Sequence, residues 1–186
     1  MEYCPRGDLF TLLEEQPQRL FDEADAMRYF RGIVDGVHHL HSLDIAHRDL
    51  SLENNVLVDA HDQTKICDFG LSARASVLAD DCVGKLQYMA PEVVCNKRQY
   101  DPVVADVWSL GVMLFIMLTG SPLYTVAVPS DPAWPAMERV GVAGILDSWQ
   151  MRDRISEDTL ALLGDMLRTD PAQRLQTLDD VRAQLA

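Results

Sequence analysis

The sequence has little cysteine. Its 186 residues contain four, far apart in the chain and without a C-x-x-C pair: Cys4, Cys67, Cys82 and Cys95. This pattern is not typical of a disulfide framework or of a zinc site. The N-terminus also lacks the basic start, apolar run and small-residue cleavage site of a signal peptide. We therefore expect a reducing compartment, the cytoplasm.

Positive charge is scarce as well. Sixteen Lys and Arg side chains stand against twenty-nine Asp and Glu, which gives a formal net charge of −13. A general nucleic-acid or anionic-membrane binder would work against its own electrostatic field. The sequence therefore predicts no nucleic-acid partner and no membrane partner, and it favours basic partners or polyphosphates bridged by a metal ion.

Long hydrophobic runs are also absent. The longest, residues 107–118, has twelve residues and includes Ser109 and Gly111, whereas about 20 apolar residues are needed to cross a bilayer. It is predicted to be a buried helix capped by Asp106. With 48% hydrophobic and 24% charged residues, the chain is of the size and composition of one globular domain.

The remaining pattern is mainly helical. Apolar side chains at helical spacing predict a long helix from Ala24 to Leu43. Two short β-rich runs, Asn55–Val58 and Thr64–Cys67, predict a small hairpin. Residues 68–103 show neither the helical nor the strand spacing of apolar side chains. A loop of that length in a compact domain indicates a functional segment.

Two further helix starts are predicted near the C-terminus. Ser156, followed by two acidic residues, is predicted to open a helix. Thr177 and Asp180 have capping-box spacing ahead of a final helix. The expected fold class is thus mainly α with one small β-hairpin.

Three motifs carry chemistry. His47-Arg48-Asp49 followed by Asn54 fits H-R-D-x-x-x-x-N, Asp68-Phe69-Gly70 begins nineteen residues after Asp49, and Ala90-Pro91-Glu92 closes the long loop. Their order and spacing resemble those of eukaryotic protein kinases.

The resemblance implies the large lobe of such a kinase, with the hairpin beside the catalytic loop. Met1-Glu2-Tyr3-Cys4 looks like the hinge between the two lobes. The Gly-rich loop, the V-A-I-K lysine and its partner glutamate do not occur in residues 1–186. We therefore expect a partial kinase domain over residues 1–186, inactive alone because half of the nucleotide cleft belongs to the other lobe.

The resemblance also implies ATP and Mg²⁺ as cofactors and a protein as substrate. Asp49 would accept or orient the substrate hydroxyl proton, and Arg48 would bind the activating group of the long loop. Asp68 and an asparagine of the catalytic loop would hold magnesium through hard oxygen atoms.

The same resemblance implies the nucleotide contacts. Leu57 would form the floor under the adenine, and Asp8 lies where the family has a carboxylate near the ribose. Glu2 and Cys4 belong to the hinge. By contrast, His47 and Cys67 are expected to be packed structural residues.

The family also has a buried ion pair and a supporting framework. Glu92 and Arg174 resemble that ion pair. Asp106 and Trp108 are expected to belong to the same framework.

A first departure from the family lies in the catalytic loop. Serine/threonine kinases usually read H-R-D-L-K-P-E-N, and here Ser51 occupies the lysine position. Lys85 follows Gly84 where those kinases commonly carry threonine. The two positions approach each other at the catalytic Asp in the family, so we expect Lys85 to restore the lost charge. A solvated surface lysine is the alternative.

A second departure is the doublet Asn54-Asn55. Counting forward from Asp49 selects Asn54 as the metal ligand, whereas counting back from Asp68 selects Asn55. One residue is inserted, and the sequence leaves both candidates open.

A third departure concerns activation. The usual phosphorylation site, three residues before Gly84, is occupied by Asp81. A carboxylate carries about one negative charge against ~1.5 to 2 for a phosphate, so it is expected to hold Arg48 permanently but less firmly. The alternative is that Asp80 and Asp81 are simply two exposed acids of an acidic protein, with no role in activation.

The preferred hypothesis is a protein serine/threonine kinase that transfers the γ-phosphate of ATP to a protein hydroxyl. The alternative is a pseudokinase-like or truncated module that binds partners without turnover. The intact Asp49, Asp68 and Gly70 favour the enzyme.

Overall fold

The computed structural model describes residues 2–95 and 99–185. The elements in chain order are α1 (Leu9–Glu14), α2 (Glu23–Ser42), β1 (Ile45–Ala46), β2 (Val56–Val58), β3 (Thr64–Ile66), β4 (Ala73–Arg74), α3 (Pro91–Cys95), α4 (Pro102–Thr119), α5 (Trp134–Ser148), a 3-10 turn (Arg152–Arg154), α6 (Glu157–Met166) and α7 (Leu178–Gln184). The predicted mainly helical class with a small β-hairpin is confirmed.

Helix α4 forms the centre of the core. The Asp101 carboxylate caps it by accepting hydrogen bonds from the backbone N–H groups of Val103 and Val104, and Gly120, at a left-handed φ of 70°, ends it. The prediction that Asp106 is the cap is wrong, because the helix begins earlier and Asp106 is buried inside it. Among the described residues, α4 alone is long and apolar enough to cross a membrane, and 94% of it is buried inside the protein.

Helix α2 packs one face on α4 and another on the hairpin. The predicted bounds are correct to within one residue at each end, with Asp22 as the cap. Two glycines let the hairpin approach closely. A Cβ at Gly32 would lie 2.4 Å from Thr64 Oγ1, and one at Gly36 would lie 2.9 Å from Ile66 Cγ1.

Two small antiparallel ladders flank the catalytic loop. Strands β2 and β3 form the predicted hairpin, with Leu57 opposite Lys65. Strands β1 and β4 pair Ile45 with Arg74. Strand β4 lies inside the stretch predicted to have no regular structure, because two residues are too few to show a period.

The two helix starts predicted near the C-terminus are confirmed. The Ser156 hydroxyl accepts from the Thr159 N–H at 3.2 Å at the start of α6. Thr177 and Asp180 form both bonds of a capping box at the start of α7. The last two helices therefore begin where the local sequence specifies.

Candidate active site

The backbone of the His47-Arg48-Asp49 segment is hydrogen-bonded to Asp106 of helix α4. Asp106 Oδ2 accepts the His47 N–H and Asp106 Oδ1 accepts the Arg48 N–H, each at 2.8 Å. His41 Nε2 of α2 lies 2.9 Å from Asp106 Oδ2. Arg48 has a left-handed φ of 66°. The buried carboxylate thus fixes the backbone just before Asp49.

His47 connects this loop to the segment after the hairpin. Its side chain is fully buried, with Nε2 3.1 Å from the Cys67 carbonyl oxygen and its ring 5.6 Å from that of Phe69. Burial raises the pKa of the Cys67 thiol. Both residues therefore have the packing environment expected from the sequence.

The structure brings Asn55 rather than Asn54 to the carboxylate of Asp49. Asn55 Nδ2 donates to the Asp49 carbonyl oxygen at 2.5 Å and to Asp49 Oδ2 at 3.0 Å. Asn54 has a left-handed φ of 70° and an exposed side chain. The inserted residue is thus accommodated by the left-handed turn at Asn54, and Asn55 retains its side-chain oxygen as an acceptor.

Asp68 follows strand β3 and lies at the same open end of the hairpin as Asn55, whose carbonyl oxygen accepts the Cys67 N–H at 3.0 Å. Its φ is 63°, its side chain is exposed, and its Oδ1 accepts the Gly70 N–H at 3.2 Å. Within residues 2–95 and 99–185, no group of three or more His, Cys, Asp or Glu side chains could hold a metal ion by itself. One carboxylate and one amide oxygen nevertheless fit Mg²⁺, which is usually bound by one or two carboxylates together with phosphates and water.

Lys85 contacts Ser51, the residue at the position where the resemblance implies a lysine. Its Nζ donates to Ser51 Oγ and to the Glu53 carbonyl oxygen, each at 2.7 Å, and lies 3.6 Å from the Glu53 carboxylate. The preceding Gly84 has a φ of 106°, and a Cβ there would lie 2.7 Å from the Arg48 carbonyl oxygen. The glycine therefore allows the two loops to touch.

Arg48 connects the catalytic loop to the long loop. Its Nη1 pairs with the Asp81 carboxylate, and its Nε donates to the Leu71 carbonyl oxygen at 2.8 Å. The Arg48 side chain is 10% exposed and that of Asp81 is 49% exposed. Hydrogen bonding from Arg48 holds the pKa of Asp81 below its usual value. The ion pair expected from the sequence is present.

The structure brings Asp8 beside Leu57, the two residues expected to contact the nucleotide, because they form an isolated antiparallel bridge. The Asp8 carboxylate also caps α1, accepting the Thr11 N–H at 2.8 Å and the Thr11 hydroxyl at 2.9 Å. Sequence reasoning missed this capping role.

The two residues expected to belong to the hinge, Glu2 and Cys4, differ in their surroundings. The Cys4 carbonyl accepts the Gly7 N–H at 3.2 Å. The Glu2 side chain is 65% exposed, and its Oε2 lies 3.9 Å from Lys65 Nζ.

The ion pair expected of Glu92 and Arg174 is also present. Arg174 Nη1 lies 2.6 Å from Glu92 Oε1, and Nη2 lies 3.0 Å from Oε2. The guanidinium also lies 4.8 Å from the centre of the Trp108 ring. This bidentate contact ties the end of the long loop to α4 and to the segment before α7.

Sequence reasoning missed one residue of this neighbourhood. Tyr100 donates its hydroxyl to the Asp81 carbonyl oxygen at 2.9 Å. It lies in the stretch without periodicity, and no motif includes it, so the sequence offers no signal for this contact.

The described residues form a mainly helical lobe in which two carboxylates and an amide lie beside a short hairpin, an arrangement typical of phosphoryl-transfer enzymes. Residues 1–184 match the family model described as protein kinase domain. The chain belongs to the protein kinase family.

Several curated relatives cover 98% of the chain. It is 37% identical over 185 residues to the serine/threonine-protein kinase SAPK3 of Oryza sativa subsp. indica and 37% identical over 187 residues to the serine/threonine-protein kinase SRK2J of Arabidopsis thaliana. It is 36% identical over 189 residues to an abscisic acid-inducible protein kinase of Triticum aestivum. The matches cover 54%, 53% and 54% of these relatives, so the chain spans about half of their length.

Proposed function

We propose that this chain is the large lobe of a protein serine/threonine kinase, which transfers the γ-phosphate of ATP to a hydroxyl group of a protein. One observation carries the proposal: the Asn55 amide binds the Asp49 carboxylate, with the Lys85 ammonium group on the adjoining loop. A group that orients a hydroxyl is thereby combined with an amide oxygen and a cation, the parts that phosphoryl transfer needs.

Asp49 is the residue proposed to orient the substrate hydroxyl and accept its proton. Its Oδ2 is held by Asn55 at 3.0 Å, so Oδ1 is the oxygen left for the substrate. A carboxylate fixed in this way positions the attacking oxygen at little entropic cost at the moment of reaction.

Lys85 is proposed to supply positive charge toward the transferred phosphoryl group. Its bond to Ser51 Oγ supports the idea that it replaces the lysine absent at that position. A fixed cation in a partly dehydrated site stabilises charge that develops in the transition state. Arg48, through its contact with Asp81, is proposed to keep the long loop ordered without a phosphate.

Asn55 and Asp68 are proposed to hold Mg²⁺, which when bound neutralises charge on the phosphates. Leu57 is proposed to contact the adenine, and Cys4 and Glu2 to belong to the hinge around the base. Because Asp8 Oδ1 already serves Thr11, its Oδ2 is the oxygen proposed for the ribose.

A cytoplasmic location is proposed as well, supported by four cysteines that are all free thiols. The net charge of −13 favours binding of basic segments of a protein substrate and disfavours binding of nucleic acid or of an anionic membrane surface.

The test is the identity of the product. The full-length gene product that contains these residues is incubated with Mg²⁺, γ-labelled ATP and a generic basic protein, and the labelled residues are identified by mass spectrometry. Label on serine or threonine supports the proposal. Label on tyrosine alone would overturn the serine/threonine assignment, and bound ATP without any transfer would identify a binding module instead.

A further inference from the structure

Tyr100 holds the long loop at a second point, in addition to the contact of the loop with Arg48. The backbones of Ala79 and Tyr100 form an isolated antiparallel bridge, with N–H to O distances of 2.9 and 2.8 Å. Tyr100 directly precedes Asp101, the cap of α4. The bridge therefore fastens the loop to the first turn of the core helix.

The Tyr100 side chain extends this bridge to Asp81. Its hydroxyl donates to the Asp81 carbonyl oxygen at 2.9 Å, and the residue is only 5% exposed. Asp81 is therefore held twice, by Tyr100 at its backbone and by Arg48 at its carboxylate. The two contacts constrain the same residue from different elements.

The ion pair alone is a weak constraint. The Asp81 side chain is half exposed, and an exposed carboxylate gains little from one cation once solvent screening and side-chain entropy are counted. A backbone hydrogen bond from a buried hydroxyl lacks these losses. By fixing the Asp81 backbone, this hydrogen bond limits the positions that the carboxylate can occupy and keeps it near Arg48.

We propose that Tyr100 is a positioning residue: its hydroxyl fixes the backbone of Asp81 so that the carboxylate stays on Arg48 and the long loop stays ordered. The consequence for activity rests on the proposed kinase function. The positioning itself does not, because it concerns only contacts within this chain.

The test compares two tyrosine variants. Tyr100→Phe removes a hydroxyl that donates to Asp81, whereas Tyr88→Phe removes a buried hydroxyl that hydrogen-bonds to none of the described residues. Both variants keep a buried ring, so Tyr88→Phe is a matched control. The reporters are the amide hydrogens of the bridge, on residues 79 and 100, with amides inside α4 measuring global stability.

We expect the bridge amides to exchange about five-fold faster in Tyr100→Phe, the effect of losing one hydrogen bond, after correction for global stability. Nothing comparable is expected in Tyr88→Phe. A second reporter is the titration of the Asp81 carboxyl, which faces Arg48 and Tyr100 and has Asp80 and Cys82 as neighbours. Its pKa should rise toward the ordinary value in Tyr100→Phe alone, because the carboxylate would spend less time on Arg48.

Equal exchange and equal Asp81 titration in the two variants would overturn the proposal, and so would a change explained entirely by global stability. If Tyr100→Phe does not fold, Asp81→Asn becomes the test variant. It should speed exchange of the same two amides, because the two contacts constrain one residue, and unchanged exchange would count against the coupling. None of these measurements involves ATP, so failure of the kinase assignment would leave their outcome intact.

Discussion

Asn55 and Asp49 are joined by two hydrogen bonds, from the Asn55 amide nitrogen to the Asp49 carbonyl oxygen and to its carboxylate. The adjacent Asn54 makes neither bond, because its left-handed backbone turns the side chain to solvent. Two neighbouring asparagines therefore have different surroundings. Mutation can separate their roles.

The first prediction concerns magnesium. Asn55→Ala removes the amide oxygen proposed as a ligand and the bond that holds Asp49, so the apparent affinity for Mg²⁺ in the presence of ATP should fall on the order of 10-fold or more. Asn54→Gly removes the neighbouring amide, keeps the left-handed backbone without strain, and should change this affinity little. Titrating Mg²⁺ against nucleotide binding measures both. A larger loss in Asn54→Gly would reverse the assignment of the ligand.

The second prediction concerns Lys85. Lys85→Ala should lower kcat far more than KM, on the order of 10²-fold, if its charge acts mainly in the transition state. Lys65→Ala removes a lysine of similar exposure, 38% against 36%, and should have little effect. The double change Ser51→Lys with Lys85→Thr should recover much of the loss. If steady-state kinetics showed unchanged kcat and KM in Lys85→Ala, Lys85 would be a surface lysine without a role in transfer.

The third prediction concerns activation. Because Asp81 pairs with Arg48, activity should need no upstream kinase, and phosphatase treatment should leave it unchanged. Asp81→Ala should reduce activity several-fold, since an exposed pair is worth only ~0.2 to 1 kcal/mol. Asp80→Ala removes the neighbouring exposed acid and serves as the control. A large loss after dephosphorylation, mapped to Ser72 or Ser76, would show that a phosphate is the switch.

The fourth prediction concerns stability in acid. Asp131 is 6% exposed and accepts four backbone N–H groups, those of Thr125, Val126, Ala133 and Trp134, at 2.8–3.2 Å. Burial alone would raise the pKa of Asp131, but these hydrogen bonds hold it below the ordinary value. A lowered pKa in the folded state contributes stability above the unfolded-state pKa, about 3.9, and this contribution is lost as the pH falls through the folded-state pKa.

Asp131→Asn should therefore lower the free energy of unfolding at neutral pH by roughly 1 to 3 kcal/mol, the cost of leaving buried donors poorly paired. The difference between wild type and variant should shrink as the pH falls below about 4. Denaturant unfolding at several pH values measures it. A difference that does not vary with pH would show that the ionised carboxylate has no special role.

Much of the site could be predicted from the sequence, because its parts are local. The order and spacing of the motifs identify Asp49 and Asp68. The two β-rich runs between them predict the hairpin. The capping residues near the C-terminus are equally local, since Thr177 and Asp180 need only each other. The pairing of Arg48 with Asp81 joins residues 33 positions apart, and it is expected only because the resemblance to protein kinases supplies the two positions.

The rest depends on contacts between distant segments. Helix α1 and strand β4 have six and two residues, too few for a periodic signal. Asp106 looks like a helix cap from its neighbours, and only the fold reveals it as the acceptor for the backbone of the catalytic loop. The choice between Asn54 and Asn55 likewise needs the backbone turn, because both side chains offer the same chemistry.

The most direct test of the account is kcat for phosphate transfer by the full-length gene product carrying Asp49→Asn, measured with saturating ATP and Mg²⁺. Asparagine keeps the size of the side chain and its bond to Asn55 but removes the base, so we predict a fall of at least about 10²-fold with nucleotide binding unchanged. Asp80→Asn, an exposed acid of the long loop, should retain full activity. Equal kcat for wild type and Asp49→Asn would contradict the assignment of the catalytic residue and with it the mechanism.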